Sequence, residues 1–513
     1  MASPPRQLVI GIDCSTTACK ALAWDADGVA AAHGRAPIPL DNPAPDGWQQ
    51  HALDWWHALG RACQQMMQQL DPRDDILAAC ITHQRETVVV TDPHANPLHP
   101  ALVWMDARCR PQLAAATTTF GAQHLHQLSG KPPHTTPSLY KLAYLFQQQP
   151  ALCTPSARVM DVHGFLVWRL CGQFSTSLAS ADPLGLVDMQ RGCWAHELLA
   201  WLSLDERQLP TLVRPGQVLG QLRPAAASHT GLPPGLPLVA GAGDGQAAGL
   251  GAGVMAPGRA YLNLGTAIVS GVLSHHYQCD NAFRTLYAAN GDDYFLETDL
   301  QGGCFTIDWF IDHFLCYGTD NSRRGEVLAR LEQEASRLPP GAQGLVLVPY
   351  LNGVMNPFWD ANAAGLSVGL RGHHRPGHMY RAIIEGIAFE QRLHTEGVEA
   401  AAGAIAEMVV VGGGARSDVW CQLLADVLQK PMQRARGVET TALGAGMLAA
   451  ASRGMHQTLA QACAAMGGSG RRFEPGAQQQ RYNELYQQVY RPLYPSLRGP
   501  LAKLSALAST GAG

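Results

Sequence analysis

Several signatures of well-known protein classes are missing from this sequence. It has no G-x-x-x-x-G-K-[ST], H-E-x-x-H or G-x-S-x-G motif and no clean strand-G-x-G-x-x-G-helix fingerprint, so P-loop and dinucleotide-binding readings are excluded. The 13 cysteines form no C-x-x-C pair and no zinc-type Cys/His spacing, which indicates buried thiols in a reducing compartment. With no long apolar run and no signal-peptide segment, we expect a cytoplasmic protein.

Charge is also scarce, and neither sign dominates. Charged residues make up 15% of the chain, with 37 Lys plus Arg against 41 Asp plus Glu. This balance gives no electrostatic reason to expect nucleic acid or an anionic membrane as partner. Hydrophobic residues make up 46% of the 513 residues, enough for a sizeable core divided between two or three domains.

Two strand–turn–strand segments, one near the start of each half, are the most informative feature that is present. Residues 9–17 read VIGIDCSTT, and residues 260–267 read AYLNLGTA before a second apolar strand. Such turns offer backbone N–H groups and hydroxyls to an oxyanion, although either one alone is equally typical of an ordinary hairpin. Their repetition, with Asp13 in one turn and Asp244 shortly before the other, predicts an internally duplicated, phosphate-binding protein.

The remaining pattern alternates strands with helices. We predict strands at 8–24, 76–82, 88–92, 344–349 and 408–412, a helix at 54–70 and a helix-rich region at 121–172. The Gly/Pro-rich passage 230–258 suits a domain boundary. The sequence therefore predicts two α/β domains with a cleft between them, at 1–250 and 251–498, followed by a flexible tail at 499–513.

Three charged residues near the turns are candidates for chemistry. Asp244 ends an apolar strand inside a glycine cluster, where it could take a proton from a hydroxyl nucleophile or simply bond its own turn. Asp13 directly follows a strand and could hold Mg²⁺ through water or cap the turn. Lys20 could neutralise a phosphate or be a solvated strand charge.

Other polar groups suit a polyhydroxylated or nucleotide ligand. Arg85 and Glu86 lie between two apolar strands and offer donors beside acceptors, and Asp106 with Arg108 raises the same question. The alternative for each is a surface pair of little energetic weight. A triple glycine at 412–414 joins a strand to a helix, where a base or ribose could lie against the backbone; a tight βα connection is the alternative.

Taken together, these segments resemble the FGGY family of carbohydrate kinases, which is related in fold to the actin/Hsp70 ATPases. The resemblance is collinear from about residue 8 to about residue 450. The matching segments are Gly11-Ile12-Asp13 with Thr16-Thr17, Gly47-Trp48, Trp55-Trp56, Trp104-x-Asp106-x-Arg108, Gly243-Asp244, Leu264-Gly265-Thr266, Arg381 to Gly386, Gly412 to Ala415, Leu424 to Asp426 and Thr441 to Gly444.

The resemblance implies two ribonuclease H-like domains and transfer of the ATP γ-phosphoryl group to a hydroxyl of a small sugar or polyol. Asp244 would be the catalytic base and Asp13 would position Mg²⁺. The implied ATP contacts are Thr16, Thr17, Lys20, Gly265, Thr266, Gly413, Gly414, Ala415 and Asp418, and the implied substrate contacts are Arg85, Glu86, Asp106, Asp244 and Gly245. Oligomeric state stays open, with homodimers common among relatives, and neither nucleic acid nor membrane is implied as a partner.

The substrate motifs are mixed. Gln84 to Thr87 and Asn356 to Asp360 resemble glycerol kinases, in which the Arg-Glu pair holds the glycerol hydroxyls. Thr136, Gly245 and Val269 stand where glycerol kinases have larger side chains, which predicts an enlarged substrate pocket. Such a pocket suits a ketopentose, and D-xylulose is the predicted substrate. Departures from the xylulokinase type also occur, at Gln49-Gln50, at Arg85-Glu86 and at 353–357. The alternatives are a glycerol or short-polyol kinase and a catalytically silent sugar or nucleotide sensor.

Overall fold

The protein was analysed as a computed structural model that describes residues 5–316 and 323–510, the last three of these as backbone only. Within these ranges, no helix combines the length and the apolar character that crossing a bilayer requires. The chain forms two halves, each built around one mixed β-sheet with helices packed against it.

The N-terminal half contains fifteen described strands and nine α-helices, numbered here in chain order. The strands are β1 (Gln7–Cys14), β2 (Ala18–Trp24), β3 (Ala30–Pro37), β4 (Asp41–Ala44), β5 (Gly47–Gln50), β6 (Asp75–His83), β7 (Val88–Thr91), β8 (Ala101–Leu102), β9 (Arg158–Asp161), β10 (Ser175–Ser177), β11 (Val187–Asp188), β12 (Cys193–Trp194), β13 (Thr211–Val213), β14 (Val218–Gln221) and β15 (Pro237–Val239). The helices are α1 (Ala52–Met67), α2 (Arg110–Phe120), α3 (Ala122–Ser129), α4 (Ser138–Gln148), α5 (Val162–Cys171), α6 (Leu178–Ala181), α7 (His196–Trp201), α8 (Pro224–Thr230) and α9 (Asp244–Gly251).

The C-terminal half continues the numbering. Its described strands are β16 (Arg259–Leu264), β17 (Ile268–Ser274), β18 (Arg284–Tyr287), β19 (Tyr294–Leu300), β20 (Val346–Val348), β21 (Leu366–Val368), β22 (Glu407–Val411), β23 (Met432–Ala435) and β24 (Ser469–Phe473). Its described helices are α10 (Cys304–Phe310), α11 (Arg324–Ser336), α12 (Pro376–Ala402), α13 (Asp418–Leu428), α14 (Thr440–Ser452), α15 (Leu459–Met466), α16 (Gln479–Leu485) and α17 (Arg491–Thr510).

The two main sheets repeat one strand order. In the N-terminal half, β3-β2-β1 form an antiparallel meander, and β6 and β15 extend it in parallel with β1. In the C-terminal half, β19-β17-β16 and then β22 and β23 do the same. The duplication predicted from the two turns is therefore confirmed, and each turn joins the first two strands of its sheet.

Two helices cross between the halves. Helix α9 belongs to the N-terminal half but packs against the C-terminal sheet, and α14 of the C-terminal half packs against β1 and β6. A Cβ on Gly444 would lie 2.0 Å from the carbonyl oxygen of Ala247, so these helices touch backbone to backbone. Likewise, a Cβ on Gly11 would lie 1.9 Å from the carbonyl oxygen of Ala442. At both contacts, glycine thus lets two backbones approach more closely than a residue with a Cβ would allow.

Most predicted elements appear with shifted ends. The predicted helix 54–70 is α1, strands 76–82 and 88–92 are β6 and β7, and strands 344–349 and 408–412 are β20 and β22. The passage 230–258 contains β15 and α9. The predicted flexible tail 499–513 is instead helical through Thr510, because Leu501 is buried and Arg498 bonds Asp360; residues 511–513 lie outside the described chain.

Candidate active site

Asp244 is the first residue of α9, directly after the glycine-rich end of β15. Its Oδ1 accepts a hydrogen bond from the N–H of Gly245 at 2.8 Å and lies 2.8 Å from Nε of Arg85. A Cβ on Gly243 would come within 2.5 Å of Cδ of Arg85, so this glycine lets the arginine lie against the start of α9. Because 39% of the Asp244 side chain is exposed, a substrate hydroxyl can reach it.

Arg85 links this carboxylate to the C-terminal half. Its Nη1 donates to both oxygens of Glu297, on β19, at 2.9 Å. Glu297 is completely buried and also accepts from Nε of Arg284 at 2.8 Å and from the hydroxyl of Tyr261 at 3.1 Å. Burial alone would raise the pKa of Glu297, but the two arginines outweigh it and lower that pKa. Glu297 is therefore a charged anchor with no lone pair to spare.

Glu86 is held by the same arginine from the C-terminal half. Nη1 of Arg284 donates to Oε1 of Glu86 at 2.8 Å, and both side chains are about 5% exposed. The backbone of Glu86 has a φ of 53°, a left-handed conformation that non-glycine residues seldom adopt. Strained backbone of this kind persists where the surroundings impose it, often at functional sites.

Asp299 completes the group. It lies two residues after Glu297 on β19, so both side chains point to the same face of the sheet. Its Oδ2 is 3.6 Å from Nη2 of Arg284. Burial raises the pKa of Asp299 to about 6, although Arg284 opposes the rise. We call the side chains joined in this way the acceptor cluster, because three of them are predicted contacts of the molecule that accepts the phosphoryl group. Its members are Arg85, Glu86, Asp244, Arg284, Glu297 and Asp299.

Beside the acceptor cluster lies a small aromatic wall. The hydroxyl of Thr136 is 2.5 Å from Nδ1 of His134, whose ring meets that of Trp359 edge-on at 5.8 Å. Burial lowers the pKa of His134 to about 4, so the ring is neutral at physiological pH. Nζ of Lys141 donates to the carbonyl oxygens of Thr135 and Thr136 and thereby fixes this turn.

The predicted enlargement of the pocket does not occur at Gly245. A Cβ at this position would lie 2.5 Å from Oε2 of Glu297 and 3.0 Å from Cζ of Arg85. The space that the missing side chain leaves is filled by this ion pair, which the sequence argument did not foresee. Gly245 therefore serves the packing of the acceptor cluster instead of adding volume.

Asp106 is placed behind the site. It is 1% exposed, and its carboxylate accepts from the N–H of Trp48 at 2.9 Å and from Nη2 of Arg108 at 2.6 Å. The segment that it fixes carries Trp104, whose Nε1 donates to Oγ1 of Thr16 at 3.0 Å. A direct contact between Asp106 and a substrate stays a prediction, since its oxygens already have partners.

On the other side of Asp244 lies Asp13, at the end of β1. Burial and the charge of Asp244 raise the pKa of Asp13 to about 7, and Lys20 opposes this. Its Oδ1 is buried without a hydrogen-bond partner among the described residues. An orphaned carboxylate oxygen suits a hard cation, and Mg²⁺ commonly uses one protein carboxylate and several waters. The described residues contain no cluster of three His, Cys, Asp or Glu side chains that could hold a metal ion.

The turns after β1 and β16 are predicted to hold phosphate, and we call them the phosphate turns. Their threonines are exposed or partly exposed. Thr17, after β1, and Thr266, after β16, are exposed, and Thr16 is partly exposed. The carbonyl oxygens of Gly265 and Thr266 accept from the first residues of α10, at 3.0 and 3.1 Å, which fixes the second turn. Lys20 forms an ion pair of 2.6 Å with Glu439, just before α14.

The glycine-rich segment after β22 borders a cavity of 280 Å³ between β22 and β23. The residues lining it include Gly412, Ala415, Arg416, Arg434 and Arg436. A Cβ on Gly413 would meet no atom of the described residues within 4 Å, whereas one on Gly414 would strike Trp420 at 2.5 Å. Asp418 pairs with Arg434 at 2.5 Å and with Arg471, so its predicted nucleotide contact stays a prediction.

The sequence reasoning missed the contribution of the C-terminal half to the acceptor cluster. Arg284, Glu297 and Asp299 were not among the candidates. One signal was present: β19 reads YFLETDL, and two acids at alternate positions of an otherwise apolar strand lie on one face. Acids on a buried face are rare unless they are paired, so the pattern indicates a functional or ion-paired surface.

Comparison with known proteins identifies the family. The sequence model of the N-terminal domain of the FGGY family of carbohydrate kinases matches residues 8–251, and that of the C-terminal domain matches residues 260–453. The chain belongs to the FGGY family of carbohydrate kinases. It is thus a sugar kinase by family, with the two-domain fold expected from the sequence, and the resemblance found there is confirmed.

Relatives of this FGGY chain differ in the substrate that their names give. The xylulose kinase of Bacillus subtilis (strain 168) is 27% identical over 95% of this chain and 96% of its own length. The glycerol kinase of Dechloromonas aromatica (strain RCB) is 29% identical over 96% and 98%. The crystal structure of xylulose kinase from Rhodospirillum rubrum is 26% identical, covers 96% of this chain and 99% of that one, and superposes with a TM-score of 0.88. Gluconokinases are also among the relatives.

Proposed function

We propose that this chain transfers the γ-phosphoryl group of ATP to a hydroxyl of a ketopentose, with D-xylulose as the candidate acceptor. The observation that carries the proposal is the position of Asp244. Its carboxylate contacts Arg85 of the acceptor cluster on one side, and its charge acts on Asp13 on the other. In this proposal, residues 1–250 supply the base and residues 251–498 supply the adenosine side.

The chemistry follows from that position. Asp244 accepts the proton of the attacking hydroxyl as its oxygen forms a bond to the γ-phosphorus. The bond from that phosphorus to the β–γ bridging oxygen breaks, and ADP leaves. Backbone N–H groups and the threonines of the phosphate turns hold the phosphates, and rate comes mainly from alignment and charge stabilisation. Mg²⁺, positioned through Asp13, would neutralise charge on the phosphates.

Two acceptors are supported by different observations. The name of the B. subtilis relative and the likeness to the R. rubrum xylulose kinase favour D-xylulose. Glycerol is the second candidate, because the Arg85–Glu86 pair is present and the D. aromatica glycerol kinase matches nearly the whole chain. The filled space at Gly245 weakens the volume argument for a larger sugar without favouring the smaller one.

The test is ADP release with MgATP across D-xylulose, L-xylulose, D-ribulose, L-ribulose, glycerol, erythritol, gluconate and several hexuloses. We expect the highest kcat/KM with D-xylulose. Asp244→Asn should lower turnover with the best acceptor by about 10²–10⁴-fold while ATP and acceptor still bind. Asp292→Asn, which changes an exposed carboxylate paired with Arg214, is the matched control and should keep wild-type turnover.

Each outcome has a distinct meaning. A preference for glycerol would select the second candidate. ATP binding with no phosphorylation of any acceptor would contradict kinase activity and favour a catalytically silent sensor. Full turnover in Asp244→Asn would remove Asp244 from the role of base.

A further inference from the structure

Glu297 and Asp299, two acids on β19, differ in how many of their oxygens have hydrogen-bond or ion-pair partners. Glu297 accepts from Arg85, Arg284 and Tyr261 and has no exposure. Asp299 faces the same side of the sheet, but its one ionic partner is Arg284 at 3.6 Å, and its Oδ1 is buried with no hydrogen-bond partner in the described structure. A buried acceptor left in this way is costly, so a partner from outside the chain is expected.

An unpartnered donor lies next to it. The backbone N–H of Asp299 donates to Oδ1 of Asn356 at 3.0 Å, which fixes the amide against β19. Asn356 is completely buried, and its Nδ2 has no hydrogen-bond partner among the described residues. The carbonyl oxygen of Asn356 is bound by Nε2 of His394 at 2.9 Å, so the segment is anchored on both sides. One acceptor and one donor without partners among the described residues therefore belong to two side chains that a hydrogen bond holds together.

The chemistry of this pair selects a hydroxyl. A cation would satisfy Asp299 but oppose the N–H of Asn356, and an anion would do the reverse. A hydroxyl donates its proton to the carboxylate and accepts from the amide at the same time. Val269 stands opposite Asp299 in the register of β17 and β19, so the two side chains share a face, and a valine offers the carboxylate no hydrogen bond.

Asp299 and Asn356 lie near the other members of the acceptor cluster. One guanidinium, that of Arg284, contacts Glu86 at 2.8 Å and Asp299 at 3.6 Å, so the two carboxylates flank the same group. Three residues beyond Asn356, Trp359 lies against His134 beside Thr136. The segment 356–359 thus runs from Asp299 to the aromatic wall and forms one side of the site.

We propose that Asp299 and Asn356 form a subsite for an acceptor hydroxyl remote from the one that is phosphorylated, so that the substrate class is acceptors longer than three carbons. This inference rests on the proposed function. A three-carbon polyol would use its hydroxyls on Asp244, Arg85 and Glu86. A longer sugar places a further hydroxyl beyond Arg284, where the unfilled pair lies. Asp299 and Asn356 are then specificity-determining residues.

The test measures kcat/KM of the full chain and of Asp299→Asn and Asp299→Leu, with the best five-carbon acceptor and with glycerol. We expect about a tenfold loss for Asn and about a hundredfold loss for Leu with the five-carbon acceptor. The KM for MgATP should change less than twofold, and the kcat/KM for glycerol should fall much less than that for the five-carbon acceptor, since glycerol does not reach Asp299. Asp308→Asn, a half-exposed carboxylate paired with Arg324, is the matched control and should match the wild type.

A set of singly deoxygenated ketopentoses locates the hydroxyl. With the analogue that lacks it, the Asp299 variants should act like the wild type, as in a double-mutant cycle. Equal losses with glycerol and the longer acceptor, or the same loss with every analogue, would show a structural role and overturn the inference. A wild-type preference for glycerol would overturn it while leaving the kinase proposal intact.

Calorimetric titration covers the remaining case. If the wild type phosphorylates none of the acceptors, the proposed function fails. The subsite can still be tested by comparing the binding of five-carbon sugars to the wild type and to Asp299→Leu. Binding that is at least tenfold weaker in Asp299→Leu supports the inference. Equal binding, or none by the wild type, contradicts it.

Discussion

Glu297, at the centre of the acceptor cluster, and the phosphate turns differ in how completely their polar and charged groups are paired. In the acceptor cluster, Glu297 is filled by arginines from both halves. At the phosphate turns, Asp13 keeps an unpartnered oxygen, and Thr17 and Thr266 remain exposed. Glu297 is therefore fully bonded across the cleft without ligand, whereas Asp13 still has an oxygen without a partner among the described residues.

The physical reason lies in burial. Charges withdrawn from water are tolerable when they pair, so the acceptor cluster has to neutralise itself. Backbone N–H groups and exposed hydroxyls can rely on water until a phosphate replaces it. If the proposed function is right, acceptor recognition depends on side chains whose removal disturbs the fold, whereas nucleotide recognition depends on groups whose removal leaves it intact.

The strongest way to break this contrast is Glu297→Gln. It leaves Arg85 and Arg284 buried without their shared anion, so we expect the free energy of unfolding to fall by about 3–5 kcal/mol. Urea unfolding followed by circular dichroism measures the change. Glu334→Gln, at the surface pair with Arg330, is the control and should change it by less than about 1 kcal/mol. A similar small change in both variants would refute the view that Glu297 anchors the cluster.

Asp299→Asn tests the same region through pH. The folded-state pKa of about 6 exceeds the ordinary 3.8, so the folded wild type binds a proton that the unfolded chain releases, and its stability falls as pH rises through this window. The asparagine variant lacks this loss. Its stability relative to the wild type should rise by up to about 3 kcal/mol between pH 4 and pH 6.5 and then level off. A pH-independent difference between the two unfolding curves would contradict the prediction.

Two glycines provide a matched comparison between the regions. In Gly245→Ala the new methyl group would strike Glu297 and Arg85, so we expect a loss of about 1–3 kcal/mol and a KM for the acceptor raised at least tenfold. In Gly413→Ala it meets nothing within 4 Å, so stability should hold, and any change should appear in the KM for ATP. Thermal unfolding and steady-state kinetics separate the two. Equal destabilisation would remove the contrast.

The smallest effect is expected at Lys20. Its ion pair with Glu439 is about one-third exposed, so Lys20→Gln should cost less than about 1 kcal/mol in urea unfolding. If Lys20 contacts a phosphate, the KM for ATP rises in Lys20→Gln but not in Glu439→Gln, which breaks the same pair and keeps the cation. An equal rise in both variants would assign the effect to the ion pair.

Much of the fold and part of the site follow from the sequence by local rules. Apolar strands flank the polar segment that begins at Asp13, near the end of β1, and the turn at Gly265, so the first hairpin of each sheet could be predicted. Asp244 could be proposed as a candidate because a carboxylate in a glycine cluster after a strand is expected to be accessible. These features depend on neighbours in the chain, which the printed sequence displays.

What escaped prediction depends on residues far apart in the chain. The partner of Arg85 is Glu297, 212 positions away, and that of Glu86 is Arg284, 198 positions away. Spacing shows neither pair. The same holds for Gly245, whose missing side chain looked like added volume until Glu297 was found in that space. The helix at the end of the described chain was not predicted either, because Arg498 contacts Asp360 only in the folded molecule.

The exchange of α9 and α14 between the two sheets bears on synthesis of the chain. Val9, Leu22 and Ala78 form part of the sheet face that α14 covers, and α14 begins about 190 residues after α9 ends. At about 5–20 residues per second, a nascent N-terminal half stays exposed on that apolar face for roughly 10–40 s. During synthesis, the N-terminal sheet therefore cannot complete its hydrophobic core until the C-terminal half has emerged from the ribosome. A gene divided after Gly251 would produce two fragments, each with an uncovered sheet.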